Sequence, residues 1–247
     1  VDRLNITAEK FGLGKKVLGD YFDNEKKGLF PNTKWKKNNL GKGWVLGETL
    51  ITGIGQGYTQ TTPLQLCMMT AQIANGGFAV KPKIIVDSNP ISYEDAKQSM
   101  ESGLLFDTDS EELLDKKLFK NQRNIKIVQE AMFASTNERF GTSYKSRIDD
   151  PKYQFAGKTG TAQVKRITKK DRELDLETSE IPYEERDHAL YIAYGPYKNP
   201  RYSVSILVEH GGSGSSVAAP IAKELFKKII DRHKIRKNHE RKKYLNI

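Results

Sequence analysis

Ala156-Gly157-Lys158-Thr159-Gly160-Thr161-Ala162-Gln163-Val164 is the stretch on which the fold of this 247-residue chain turns. The pattern from Tyr153 to Val164 reads as a strand, with small residues on both sides of Lys158. Glycine at Gly157 and Gly160 leaves the strand bare, so another backbone can approach closely and add as a further strand. Lys158 offers a cation and Thr159 a hydroxyl to one carboxylate, and the N–H of Thr161 can face a developing oxyanion. Gly-Lys-Thr also echoes a phosphate-binding loop. That motif needs a glycine five positions before Gly157, where Lys152 stands, so the phosphate reading fails.

Downstream, Ala189 to Tyr194 and Tyr202 to Val208 are β-rich runs joined by Gly195-Pro196-Tyr197-Lys198-Asn199-Pro200, an antiparallel hairpin with a long turn. Gly211 to Ser216 reads as a loop, and a final helix follows with Pro220 in its first turn. Upstream, Thr62 is a helix cap and Pro63 suits the first helical position. Leu64, Cys67, Met68, Ala71 and Ala74 then repeat at helical spacing until Asn75-Gly76-Gly77. A second helix is predicted near Ile125 to Arg139, with Ile125, Val128 and Met132 inward and Gly141 closing it. The first dozen residues read as a short helix with Leu4, Ala8 and Phe11 on one side. Gly14 to Gly47 reads as extended loop, pinned by Trp35 and Trp44, and Ala79 to Val86 as an exit loop and short strand. Polar surface inserts are expected at 87–120 and 165–187. Helices, three strands and a closing helix make an α+β layer arrangement, an antiparallel sheet flanked by helices.

Composition narrows the class. Hydrophobic residues make up 37% and charged residues 29%, a balance that suits a globular domain. No stretch approaches the roughly 20 apolar residues of a membrane-spanning helix. Val1-Asp2-Arg3-Leu4-Asn5 has neither an initiator Met nor a signal pattern, so a start in mid-protein is expected. Net charge is +10, much of it between Lys223 and Lys243, and the division expected is a domain over 1–230 and a basic tail over 231–247. A solvated helix continuation explains that tail without a nucleic-acid partner. The single cysteine, Cys67, excludes an intrachain disulfide and a cysteine-rich zinc site. No metal and no cofactor is expected.

The Lys-Thr-Gly-Thr-Ala run resembles that of class B penicillin-binding proteins. Gly53-Ile54-Gly55-Gln56-Gly57-Tyr58, with Thr62-Pro63-Leu64-Gln65-Leu66 behind it, is similar to the G-Q-G segment of the same transpeptidases. Arg186-Asp187-His188-Ala189 with Ala193-Tyr194-Gly195-Pro196-Tyr197, and Val208-Glu209-His210-Gly211-Gly212-Ser213-Gly214, resemble their penicillin-binding protein 2 branch. The four matches stand in the family's order. They imply the C-terminal portion of the serine β-lactamase/penicillin-binding transpeptidase fold, and a D,D-transpeptidase that cross-links peptidoglycan stem peptides during elongation. Carried over, Lys158 and Thr159 hold the carboxylate of a D-Ala-D-Ala terminus or a β-lactam, Gly160 keeps the strand open, and Thr161 gives an oxyanion N–H. The resemblance also implies a RodA-type glycan polymerase as partner and a place on the periplasmic face of the bacterial inner membrane.

The family's Ser-x-x-Lys box is missing, because no serine here has a lysine three positions later. Thr7-Ala8-Glu9-Lys10 has the spacing but not the nucleophile. Ser135-Thr136-Asn137 imitates the Ser-x-Asn box yet follows the G-Q-G segment instead of preceding it. The resemblance thus places the serine upstream of Val1 and leaves the sheet short of a strand. His188 and His210 read as structural histidines, and Tyr191, Tyr194, Tyr197 and Tyr202 as packing. Glu209 and His210, as strand neighbours, would face opposite ways. Two alternatives stay open: a non-catalytic module that docks wall peptide or a partner through the same strand edge, and a nucleic-acid binder driven by the basic tail.

Overall fold

Ala156–Ala162 (β1), His188–Gly195 (β2) and Tyr202–Val208 (β3) pair antiparallel in the order β1-β2-β3. The computed structural model describes residues 1–19, 24–82, 117–165 and 178–245. Ala156 lies opposite Tyr194 and Ala162 opposite His188, while Ala189 lies opposite Val208 and Gly195 opposite Tyr202. Among the described residues, the outer edges of β1 and β3 have no strand partner.

Side-chain alternation along β2 divides the core in two. Ala189, Tyr191 and Ala193 are fully buried and pack with Phe155 against the last helix, Ala219–Leu245 (α6), through Ala219, Ala222 and Phe226. On the opposite face, Tyr194 and Ala156 meet Ile73 of Pro63–Ala74 (α4) and Met132 of Gln122–Asn137 (α5). The α+β arrangement of a sheet between helical layers is the one expected.

The cap of α4 is reciprocal: the Gln65 N–H donates to Thr62 Oγ1 at 3.2 Å and the Thr62 N–H donates to Gln65 Oε1 at 3.0 Å. Its buried positions, however, are Gln65, Thr70, Gln72 and Ile73, not the apolar set read from the sequence. Gln65 is sealed because its amide donates to the carbonyls of Lys15 and Lys27 at 2.7 and 2.8 Å. A buried amide with its bonds satisfied costs little, so polar residues hold the inner face.

Other expectations are corrected. Helices occupy part of the predicted 14–47 loop: Thr33–Leu40 (α2) lies within it, and Leu46–Gly53 (α3) begins at its end. Asn32 accepts from the Trp35 N–H and Gly41 takes the left-handed C-cap, so caps fix α2 where apolar periodicity is lacking. Leu4, in Asp2–Lys10 (α1), and Val128 are exposed, whereas Ala8, Ile125 and Met132 are buried as read. Gly214–Ala218 is a π-helical turn leading into α6, with Ser213 Oγ accepting from the Ser216 N–H. The backbone of α6 continues through the basic segment to Leu245. Residues 83–116 and 166–177, on which part of the expected short strand and most of both expected inserts fall, lie outside the described residues. At the base of the second insert, the Val164 N–H donates to Asp187 Oδ1 at 3.1 Å.

Lys36 joins α2 to α3. It is 5% exposed, and its ammonium donates to Glu48 Oε1 at 2.5 Å. That bond, followed by the Val45 N–H, holds the Glu48 carboxyl below the usual glutamate range. A depressed carboxylate stabilises the fold fully above its unfolded value, and the contribution is lost as pH falls through the folded value. Lys36→Met is therefore expected to lower the melting temperature at neutral pH, by a gap that narrows in acid. A gap constant from pH 7 to about pH 3 would show that packing, not the ion pair, carries the effect.

Candidate active site

The four predicted site residues share β1. Pairing puts Lys158 and Gly160 on the face of Ile192 and Leu190, and Thr159 and Thr161 on that of Tyr191 and Ala189. Lys158 is exposed, and its ammonium turns back to donate to the Thr159 carbonyl at 2.8 Å and to Thr159 Oγ1 at 3.3 Å. A cation and a hydroxyl thus meet on the strand whose outer edge has no strand partner among the described residues.

Two glycines permit this edge. A Cβ on Gly157 would stand 2.3 Å from Tyr191 Oη, so only glycine lets the phenol pass beneath the strand. A Cβ on Gly214 would come within 2.7 Å of the Gly160 carbonyl oxygen, which lets the segment before α6 close against β1. Burial pushes the Tyr191 phenol up, opposed by its bonds to Ser143 and Thr136. Its Oη lies 2.9 Å from Thr136 Oγ1 and 3.0 Å from Ser143 Oγ, so α5 and the loop after it are tied under the strand.

Gly160 and Thr161 line a cavity of about 780 Å³, whereas Lys158 and Thr159 lie outside its lining. Gly55, Gln56 and Gly57 form the facing wall, and Leu190 and Leu207 line it from the sheet. Two sequence segments more than a hundred residues apart therefore face one groove.

The remaining candidates are structural. Thr136 is buried, and the Asn137 amide donates to the carbonyls of Phe133 and Phe155, so Ser135-Thr136-Asn137 is a helix end and not a catalytic box. His188 Nδ1 accepts from the His210 N–H at 2.9 Å, and His210 Nδ1 donates to the Arg186 carbonyl at 3.1 Å. Glu209 and His210 lie past the end of β3 in a turn, so the strand argument for their orientation does not apply. Cys67 Sγ is 3.3 Å from Ser203 Oγ, a packing contact between α4 and β3. Among the described residues, no three His, Cys, Asp or Glu side chains are grouped as metal ligands, and no helix is long and apolar enough to cross a membrane. The hydroxyl of Thr142, 3.2 Å from Thr159 Oγ1, gave no sign in the sequence.

Residues 1–227 match the penicillin binding protein transpeptidase domain. The chain belongs to that family. The peptidoglycan D,D-transpeptidase MrdA of Salmonella typhimurium strain SL1344 is 31% identical over 231 residues, covering 94% of this chain and 34% of the relative. The MrdA protein of Acinetobacter baumannii is 32% identical over 90% of this chain and 30% of its own length. The chain thus spans about a third of the curated relatives it matches. Among solved structures, Pseudomonas aeruginosa PBP2 in complex with WCK 5153 superposes with a TM-score of 0.69 at 33% identity, over 92% of this chain and 43% of that one. Helicobacter pylori PBP2 in complex with MreC gives 0.68 at 28% identity, over 90% and 34%. The architecture is accordingly the penicillin-binding transpeptidase fold, and its penicillin-binding protein 2 branch is the one the sequence resembles.

Proposed function

We propose that this chain supplies the carboxylate-binding wall of a peptidoglycan D,D-transpeptidase acting in cell elongation. The observation that carries the reading is the β1 edge, unpaired among the described residues, where the exposed Lys158 ammonium and the Thr159 hydroxyl meet beside the groove. A stem peptide ending in D-Ala-D-Ala adds along β1 as a further strand, with its terminal carboxylate on Lys158 and Thr159. Gly160 keeps the strand bare at the scissile bond. Thr161, two residues beyond Thr159 and facing the same edge, aims its N–H at the oxyanion of the tetrahedral intermediate.

A serine then displaces the terminal D-Ala to form an acyl-enzyme, and an amine of a neighbouring stem resolves it. Residues 1–247 hold no Ser-x-x-Lys box, so the reading assigns nucleophile and base to another part of the polypeptide. β-Lactams take the same route as far as the acyl-enzyme. The chemistry is acyl transfer between amides and calls for no cofactor. The family's place is the periplasmic face of the inner membrane. The MreC bound to the Helicobacter pylori relative joins a RodA-type polymerase as a proposed partner.

Fluorescent penicillin tests this directly. The intact polypeptide is expected to carry a covalent label that survives denaturing electrophoresis, whereas residues 1–247 alone remain dark. An intact protein that stays unlabelled would overturn the enzyme assignment and favour a wall-peptide-binding module.

A further inference from the structure

The transpeptidase reading uses Lys158 and Thr159 but gives no role to the hydroxyls ranged against Thr159 from the α5–β1 connection. Thr142 Oγ1 lies 3.2 Å from Thr159 Oγ1, and Ser135 Oγ lies 3.3 Å from Thr142 Oγ1. With Lys158 Nζ 3.3 Å from Thr159 Oγ1, four polar groups form one line. An ammonium only donates, whereas a hydroxyl donates one proton and accepts on its oxygen. The Lys158 ammonium donates to Thr159 Oγ1, whereas in the Thr159–Thr142 and Thr142–Ser135 pairs either hydroxyl can be the donor.

A bound carboxylate fixes that direction. It accepts only, so Thr159 gives it its one proton, and a hydroxyl bonded to Thr159 can then only donate to its oxygen. Thr142 is the hydroxyl in reach, and Ser135 stands behind it. We propose that Thr142 is a positioning residue for Thr159: it holds the Thr159 rotamer through the bond between their hydroxyls, and donates to it when a carboxylate-terminated peptide or β-lactam binds. This rests on the carboxylate-binding reading of β1.

The surroundings fit a fixed post and not a wandering loop side chain. Its neighbour Ser143 is 1% exposed; it donates to the Ser135 carbonyl at 3.0 Å and lies 3.0 Å from Tyr191 Oη. The Ser143 N–H also donates to the Ser135 carbonyl at 3.0 Å. The backbone that carries Thr142 is thus anchored on both α5 and β2, while its own side chain stays exposed and free to rotate its proton.

The test measures acylation of the intact protein by fluorescent penicillin across drug concentrations, separating half-saturation from limiting rate. Thr142→Val, which keeps shape and loses the hydroxyl, is expected to raise half-saturation about 5-fold, the size of one net hydrogen bond, with a smaller change in limiting rate. Thr142→Ser restores the parent value. In a Thr159→Val background, Thr142→Val adds nothing further, because its effect passes through Thr159. Parent-like behaviour of Thr142→Val, additive losses in the double variant, or no rescue by serine would each overturn the proposal. Lys158→Ala run alongside separates the two levels: unchanged labelling there removes the carboxylate site and this role with it. Loss there with a parent-like Thr142→Val removes this role alone.

Discussion

Replacing Lys158 by alanine in the intact protein is expected to cut the efficiency of acylation by fluorescent penicillin about 10- to 100-fold. The magnitude is that of a lost hydrogen bond to a charged partner, about 1.5–3 kcal/mol. The fold should be unaffected, because the side chain is exposed and its bonds reach only its neighbour Thr159. Melting temperature therefore serves as the control: an unchanged transition with lost labelling locates the effect at the drug carboxylate. Lys158→Arg is expected to recover only part of the loss. Guanidinium keeps the charge but is planar and longer, so it cannot reach the same carboxylate while bonding Thr159. Full labelling of the alanine variant would remove the ammonium from the site.

The strand that holds this lysine was legible because small residues flank it within a β pattern. Gly157 interrupts that pattern where a strand needs side chains, and the structure answers with Tyr191 beneath it, while a Cβ on Gly160 would meet only Leu190 Cβ at 3.4 Å. The hairpin and the start of α4 were legible on the same grounds, turn residues at one and Thr62-Pro63 at the other. Helix α2 was not. Thr33–Leu40 is rich in Lys and Asn, and it is held by a side-chain cap and a buried ion pair that no periodicity announces. On α4 the apolar repeat did not announce that Gln65 and Gln72 are buried on carbonyls of distant segments.

The site divides the same way. Lys158, Thr159, Gly160 and Thr161 are contiguous, so one strand suffices to bring them together. Thr142 and Ser135 come from a helix end and a loop, and the contacts that place them depend on how α5 docks on the sheet. Tyr191 read correctly as packing, but its hydroxyl does more than fill space. It fastens Thr136 and Ser143, and so sets the height of the loop beside Thr159. Sequence spacing reports what lies on one element; it is silent on which hydroxyls two elements bring face to face.

Phe226→Ala should produce the largest loss of stability, about 3–5 kcal/mol by the usual cost of emptying a buried aromatic site. Phe226 is fully buried, its ring stacks on Phe155 at 5.0 Å, and it lies 3.1 Å from the space a Cβ on Gly195 would take. It is the main apolar anchor of α6 on β2. The cavity left behind is walled by Phe155, Tyr191 and the sheet backbone, none of which can collapse into it without breaking the bonds of Tyr191 Oη. Domains have only about 5–15 kcal/mol in hand, so a large drop in melting temperature or loss of soluble protein is the expected readout. Ile221→Ala, also on α6 but 45% exposed, should change stability by about 0.5 kcal/mol or less. Because Phe226 packs on the face of the sheet that carries Tyr191 and Thr159, any folded fraction of the variant is also expected to acylate more slowly than the parent. A variant that melts normally would mean that α6 is held to the sheet by something other than this ring.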